Sequence, residues 1–246
     1  MMSLIERASP NHDPRPNGTP IDILVLHYTG MRTAEEALAR LCDPEAKVSA
    51  HYTVDFEGRV YRHVAEDRRA RHAGISYWAG VRDVNSRSIG IEIVNPGHEF
   101  GYVPFAEPQI AAVIDLAAGI LARHPITPSR VVGHSDVAPD RKQDPGEFFP
   151  WAQLAEFGIG IWPSLAAKPM AGNGSSGLPK SESGFAEALR LFGYGVPPDV
   201  DWPLTDVVKA FQRHFRPSCI NGIADGECVA ILDALNRSEA AAGLPR

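Results

Sequence analysis

Between Pro20 and Gly30 the chain reads Ile21-Asp22-Ile23-Leu24-Val25-Leu26-His27-Tyr28. A short apolar run closed by breakers predicts a buried strand over residues 21–28, with His27 near its end. Thr33-Ala34-Glu35-Glu36 then places Glu three residues after a capping Thr, the pattern that opens a helix. Ala37, Leu38 and Leu41 give that helix an apolar face, and Asp43-Pro44 stops it. Residues 50–55 and 59–64 alternate polar and apolar around Glu57-Gly58 and predict a β-hairpin. A short charged segment (65–70) and an aromatic, Gly-containing loop (71–80) follow. A turn at residues 85–88 leads into the strand Ile89-Gly90-Ile91-Glu92-Ile93-Val94. Ile110, Val113, Ile114, Ala117, Ile120 and Leu121 recur at helical spacing, so residues 105–124 form an amphipathic helix packed on the sheet. Pro125 ends it, Val131 and Val132 form a short strand, and residues 150–162 give a short helix and a tail. Residues 1–20, polar and rich in Pro and Asn, read as an extended surface arm.

Beyond residue 162 the pattern changes. Residues 163–179 are dominated by Pro, Ala, Gly and Ser, a linker composition, with a coil reach of roughly 20–25 Å. Apolar residues at helical spacing return over 185–192, 205–215 and 227–235, which predicts a small helical domain. The expected organisation is a domain at 1–162, a linker at 163–179 and a three-helix domain at 180–246.

The 246 residues, 44% hydrophobic and 22% charged, suffice for one large domain or one plus a small second. A net charge of -6 disfavours nucleic acid as a partner, because phosphate binding needs a basic surface. No apolar run approaches the ~18 residues of a membrane span. The N-terminus lacks the apolar core of a signal peptide, so a cytoplasmic protein is expected, with export by a non-standard route to the periplasm as the alternative. Cys42, Cys219 and Cys228 are odd in number and imply no disulfide framework.

The chemistry concentrates in Val131-Val132-Gly133-His134-Ser135-Asp136-Val137-Ala138-Pro139-Asp140-Arg141-Lys142-Gln143-Asp144-Pro145-Gly146. Imidazole nitrogen and carboxylate oxygen both suit zinc, and His27 is the best candidate for a third ligand beside His134 and Asp144. Each alone reads more readily as a structural histidine or a turn aspartate. Together, two His and one Asp leave a fourth position open, which marks a catalytic rather than a structural site. Glu92 is the second signal: a carboxylate inside an apolar strand is costly to bury without a partner or a task. It is a candidate general base, the alternative being a solvent-facing strand residue. Lys142 is a candidate for stabilising an oxyanion, the alternative being a solvated surface lysine. Gly133-His134-Ser135-Asp136-Val137 fails as a serine nucleophile elbow because Val137 replaces the second Gly. There is no HExxH.

Six stretches occur in order: His27-Tyr28-Thr29, Ser49-Ala50-His51-Tyr52, His72-Ala73-Gly74, Asn85-Ser86-Arg87-Ser88-Ile89-Gly90-Ile91-Glu92, Gly133-His134-Ser135-Asp136 and Lys142-Gln143-Asp144-Pro145-Gly146. Over roughly residues 20–160 they closely resemble the zinc-dependent N-acetylmuramoyl-L-alanine amidases of the type 2 group, related to peptidoglycan recognition proteins and to phage T7 lysozyme. The resemblance implies an α/β (α+β) fold, a mixed central β-sheet flanked by helices. It implies one zinc ion on His27, His134 and Asp144, with Glu92 and Lys142 as the catalytic pair. His51, His72, Trp78 and Asn85 fall in stretches that line the family's cleft and are candidate substrate contacts. The implied reaction cuts the amide between N-acetylmuramic acid and L-alanine of peptidoglycan or (anhydro-)muropeptides, in cell-wall recycling or remodelling. The C-terminal part resembles a three-helix peptidoglycan-binding module, the alternative being a helical appendage packed on the first domain. Two rival functions stay open: a non-catalytic muropeptide-binding protein and a zinc hydrolase of another amide. Oligomeric state is not legible; a monomer is the default.

Overall fold

The computed structural model of the chain describes residues 3–163 and 182–241. The expected linker, 163–179, lies outside the described residues except for Pro163. In chain order the strands are β1 (Leu4–Glu6), β2 (His12–Pro14), β3 (Ile23–Tyr28), β4 (Tyr52–Val54), β5 (Val60–Arg62), β6 (Arg68–Ala70), β7 (Ser88–Ile93) and β8 (Val131–Gly133). The helices are α1 (Ala34–Cys42), α2 (Val84–Arg87), α3 (Gly97–Phe100), α4 (Glu107–Arg123), α5 (His134–Val137), α6 (Trp151–Glu156), α7 (Glu182–Phe192), α8 (Leu204–Phe215) and α9 (Gly226–Ala241). Six strands form a mixed sheet in the order β1-β5-β4-β7-β3-β8, and β2 pairs with β6 in a separate ribbon. The centre, β4-β7-β3-β8, is parallel, while β4 and β5 form the antiparallel hairpin. This is the mixed central sheet flanked by helices that the family resemblance implied.

Strand β3 is apolar because it is covered on both faces. Leu24 and Leu26 join Ile89, Ile91 and Ile93 in a core with Ile110, Val113, Ala117 and Ile120 of α4. Ile23 and Val25 point the other way, into a second core with Phe185, Val208 and Phe211 of the C-terminal helices and Tyr194 just after α7. The strand period of two thus splits one sequence run between two cores. The α1 capping box forms as expected: Glu36 N donates to Thr33 Oγ1 and Thr33 N to Glu36 Oε2, each at 3.2 Å.

The N-terminal arm differs from expectation. It supplies β1, which pairs with β5, and β2, which pairs with β6 in the segment read as merely charged. Arg15 reaches inward and donates to the carbonyls of Glu66, Asn85, Ser86 and Ser88. Three-residue strands leave too short an alternation to be seen in sequence. Here backbone pairing and one half-buried arginine, Arg15, fix the arm, not an apolar face.

Candidate active site

The site is assembled by register. In the parallel centre, His27 of β3 lies opposite Glu92 of β7, and Leu26 lies opposite Gly133, which directly precedes His134. Three adjacent strands therefore end together and present His27, Glu92 and His134 at their carboxyl ends, the usual place for a ligand in a parallel sheet. Strand parity places Gly90 and Glu92 on the His27 face, away from Ile91 and Ile93. Asp144 is folded back to the same point, its carbonyl accepting a 2.8 Å hydrogen bond from Ser135 N. Gly133 permits this return, because a Cβ there would meet Pro145 Cδ at 2.7 Å.

His27 Nδ1 lies 2.9 Å from His134 Nδ1, and Asp144 Oδ2 lies 3.1 Å and 3.0 Å from them respectively. All three residues are buried. The opposite edges of the rings are already engaged. His134 Nε2 lies 3.2 Å from the Ala73 carbonyl, an acceptor, so that nitrogen carries the proton and Nδ1 presents a lone pair. His27 Nε2 lies 3.0 Å from His72 Nδ1, and His72 Nε2 lies 3.2 Å from Ser88 Oγ. A relay of N–H donors running outward from His27 to Ser88, a direction that the Ser88 hydroxyl accommodates as acceptor, would leave the His27 Nδ1 lone pair facing inward as well. Two imidazole lone pairs and a carboxylate oxygen then converge with no donor between them. This arrangement suits a cation, and two nitrogens with one hard oxygen suit zinc.

Burial first, and the neighbouring His134 second, push the His27 imidazole down to about 4. Burial likewise lowers His72 far below the ordinary histidine value. Burial opposes ionisation of Asp144, but the two imidazoles outweigh it and hold the carboxyl below its usual range. The folded, metal-free chain thus refuses a proton on His27 that the unfolded chain accepts near 6.5. Wherever the unfolded state binds more protons, stability rises with pH. The melting temperature of chelator-treated protein is expected to fall as pH is lowered from about 6.5 toward about 4. A flat thermal-melt profile across that window would show that His27 is not held neutral.

Glu92 and Lys142 line a cleft of about 630 Å3 together with His134, Asp144 and His72. Residues Ala37, Arg40 and Leu41 of α1 form one wall, and Pro96 to Glu99 border another side. Glu92 Oε2 is buried and has no hydrogen-bond partner among the described residues. Burial first, then the charge of Asp144, raise its carboxyl well above the ordinary value, with Lys142 acting against them. Perturbed carboxyls in clefts beside ligand clusters are candidate acids and bases.

The four expected substrate contacts divide. His72 does line the cleft, and it also supports His27. Its ring lies over Gly90, where a Cβ would come within 2.5 Å of it. The other three are structural supports. His51 is fully buried, accepting from Gly90 N at 3.0 Å and facing the Arg68 carbonyl at 3.1 Å. Asn85 Oδ1 accepts from the backbone of His72 and Ala73, fixing the loop that carries both. Trp78 is buried against Phe192 and Tyr194, donating to the Ser129 carbonyl at 3.1 Å. None of these three lines the cleft: their polar atoms are used by the backbone, and Trp78 belongs to the core of the C-terminal helices. Three further residues carried no role in the sequence reading. Asp136 anchors the turn after Gly133, Arg141 holds the carbonyls of Ala73 and Ile75, and His98 reaches Tyr28 and Glu147. Asp136 and Arg141 sit in or beside a motif and His98 in none, and only the folded backbone shows what each side chain reaches.

The family model for N-acetylmuramoyl-L-alanine amidase matches residues 17–147. The chain is 42% identical over 231 residues to N-acetylmuramoyl-L-alanine amidase AmiD of Escherichia coli, covering 87% of this chain and 82% of that protein. It is 33% identical over 161 residues to 1,6-anhydro-N-acetylmuramyl-L-alanine amidase AmpD of Haemophilus influenzae, covering 58% of this chain and 85% of the relative. The fold matches that of E. coli AmiD in complex with the substrate anhydro-N-acetylmuramic acid-L-Ala-D-gamma-Glu-L-Lys, with a TM-score of 0.77 and 39% identity over 90% of this chain and 91% of the other. AmpDh3 from Pseudomonas aeruginosa, in complex with anhydromuramic pentapeptide, gives a TM-score of 0.80 at 39% identity over 91% and 94% of the two chains. Among the described residues no helix is long and apolar enough to cross a membrane. Family model, near-full-length relatives and fold agree: the chain belongs to the N-acetylmuramoyl-L-alanine amidase family and is a hydrolase of the amide that joins N-acetylmuramic acid to L-alanine.

Proposed function

We propose that the enzyme uses one zinc ion held by His27, His134 and Asp144, with Glu92 and Lys142 as its catalytic pair, to release stem peptides from 1,6-anhydro-muropeptides. The observation that carries this reading is the convergence of two imidazole lone pairs and a carboxylate oxygen beside an unpartnered Glu92. Zinc in that position supplies a Lewis acid that polarises a carbonyl and acidifies water. Glu92 takes a proton from the attacking water as its oxygen bonds to the lactyl carbonyl carbon. The same carboxyl then gives that proton to the L-alanine nitrogen as the C–N bond breaks. Lys142 supplies positive charge to the carbonyl oxygen while it is an anion. His72 and the Ala73 carbonyl hold the two imidazoles in the required tautomers.

Lys142→Ala is expected to lower kcat by about 10²-fold with zinc content unchanged, the usual cost of removing one oxyanion partner. Steady-state kinetics with metal analysis check this, and an unchanged kcat would remove Lys142 from the catalytic pair.

The cleft volume falls within the range of sites for small ligands, and the AmiD and AmpDh3 structures above hold anhydro-muropeptides. Both support a fragment as substrate. Cytoplasmic recycling is the proposed setting, since Cys42, Cys219 and Cys228 are free thiols. The C-terminal helices retain a sequence likeness to a peptidoglycan-binding module. Their packing onto the amidase sheet supports a role inside this enzyme instead.

Mass spectrometry of products from a defined anhydro-muropeptide and from intact sacculi tests the reading. A free peptide headed by L-alanine is expected from the fragment. Cleavage of sacculi alone would overturn the fragment assignment. No cleavage of either by zinc-loaded protein would favour a muropeptide-binding protein.

A further inference from the structure

The segment that carries two of the three ligands, from Gly133 to Glu147, is gripped at both ends by neighbouring residues of α8. At its start, Asp136 is 1% exposed. Its Oδ2 accepts from Gly133 N at 2.7 Å and from His214 Nδ1 at 2.7 Å, and its Oδ1 accepts from Tyr194 OH at 2.6 Å. At its end, Glu147 Oε2 lies 3.8 Å from Arg213 Nε and 3.0 Å from His98 Nε2. The His214 ring is fixed between Trp151, at 3.8 Å, and Phe215, at 3.9 Å, both nearly parallel to it. Tyr194 is fully buried against Trp78.

A buried carboxylate is stable only if its oxygens are satisfied. Residues 3–163 provide Asp136 with the Gly133 amide; the other two donors come from beyond the stretch that the amidase family model matches. Asp136 is two residues from His134 in the same helical turn, and its carboxylate caps that turn at the Gly133 amide.

We propose that Tyr194 and His214 are positioning residues of the metal centre, acting through Asp136 to hold the turn that presents His134. This rests on the zinc reading above. The C-terminal helices are then part of the scaffold of the site and not a separable wall-binding appendage. Positioning of this kind is rigid: an aromatic hydroxyl and a stacked imidazole fix Asp136, and Asp136 fixes the Gly133 amide.

The test uses the full chain with Tyr194→Phe and His214→Phe, which remove the donors and keep the rings. Leu235→Ala is the control, a cavity in the same helical core that does not touch Asp136. Zinc affinity is read by competition with a chromogenic chelator, and amide exchange over residues 133–137 is read in zinc-free protein. Each donor-removing variant is expected to bind zinc about tenfold more weakly, at the lower end of the usual 10–100-fold cost of lost outer-shell partners. Exchange over 133–137 is expected to quicken in both. Leu235→Ala should lower the melting temperature yet leave affinity and exchange at wild-type values. Wild-type affinity and exchange in Tyr194→Phe and His214→Phe would overturn the inference, as would an equal loss of affinity in Leu235→Ala. If wild-type protein takes up no zinc, the zinc reading falls; unchanged exchange in the variants would then remove the positioning role too, and quickened exchange would uphold it for the turn.

Discussion

His134→Ala is expected to lose stoichiometric zinc and to lower turnover by on the order of 10⁴-fold, about 5 kcal/mol of barrier. The cause is the geometry of the donors. His27 Nδ1, His134 Nδ1 and Asp144 Oδ2 meet at about one point, so removing one leaves a two-donor site. A ligand that binds only the folded state stabilises it by mass action. Zinc should therefore raise the melting temperature of wild-type protein and leave that of His134→Ala unmoved. Without metal the substitution relieves a crowding of lone pairs, so chelator-treated variant and wild type should melt close together above pH 7. A variant that retained a zinc-induced melting shift would show that His134 is not a ligand.

Glu92→Gln is expected to keep one zinc per chain and to lose about 10³-fold in kcat, within the range for a general acid–base group. The amide matches the carboxylate in shape but cannot take a proton from water. Glu92 stands opposite His27 in the sheet yet outside the cluster of converging donor atoms, so metal retention and loss of turnover should separate. In wild-type enzyme the base must be ionised, so activity should rise with pH as Glu92 loses its proton. That rise should be absent from Glu92→Gln. Near-wild-type turnover in this variant would assign the proton transfer to another group.

Much of this site was legible before the fold. His27, Glu92 and His134 each end or interrupt an apolar run, and a polar residue in a buried strand signals either a partner or a function. Asp144 and Lys142 stand in the loop after the last strand, among breakers. What sequence could not supply was direction. Trp78 and Asn85 sit in cleft-flanking motifs, yet Trp78 turns into the C-terminal core and Asn85 into the backbone of the His72 loop. Spacing along a loop has no fixed period, so neither orientation can be read from it. The two-faced burial of β3 was equally hidden. Ile23 and Val25 look like any core residues, but their partners arrive some 160–190 residues later, from α7, α8 and the turn after α7. The C-terminal apolar residues announced three helices and not the surface they would cover.

The most direct measurement is a zinc titration of metal-free protein with a defined anhydro-muropeptide, following release of the L-alanine-headed peptide by mass spectrometry. Activity should be absent without metal, rise with added zinc and level off at one equivalent per chain. Undiminished cleavage by metal-free protein, or none after full zinc loading, would contradict a catalytic centre built from His27, His134 and Asp144.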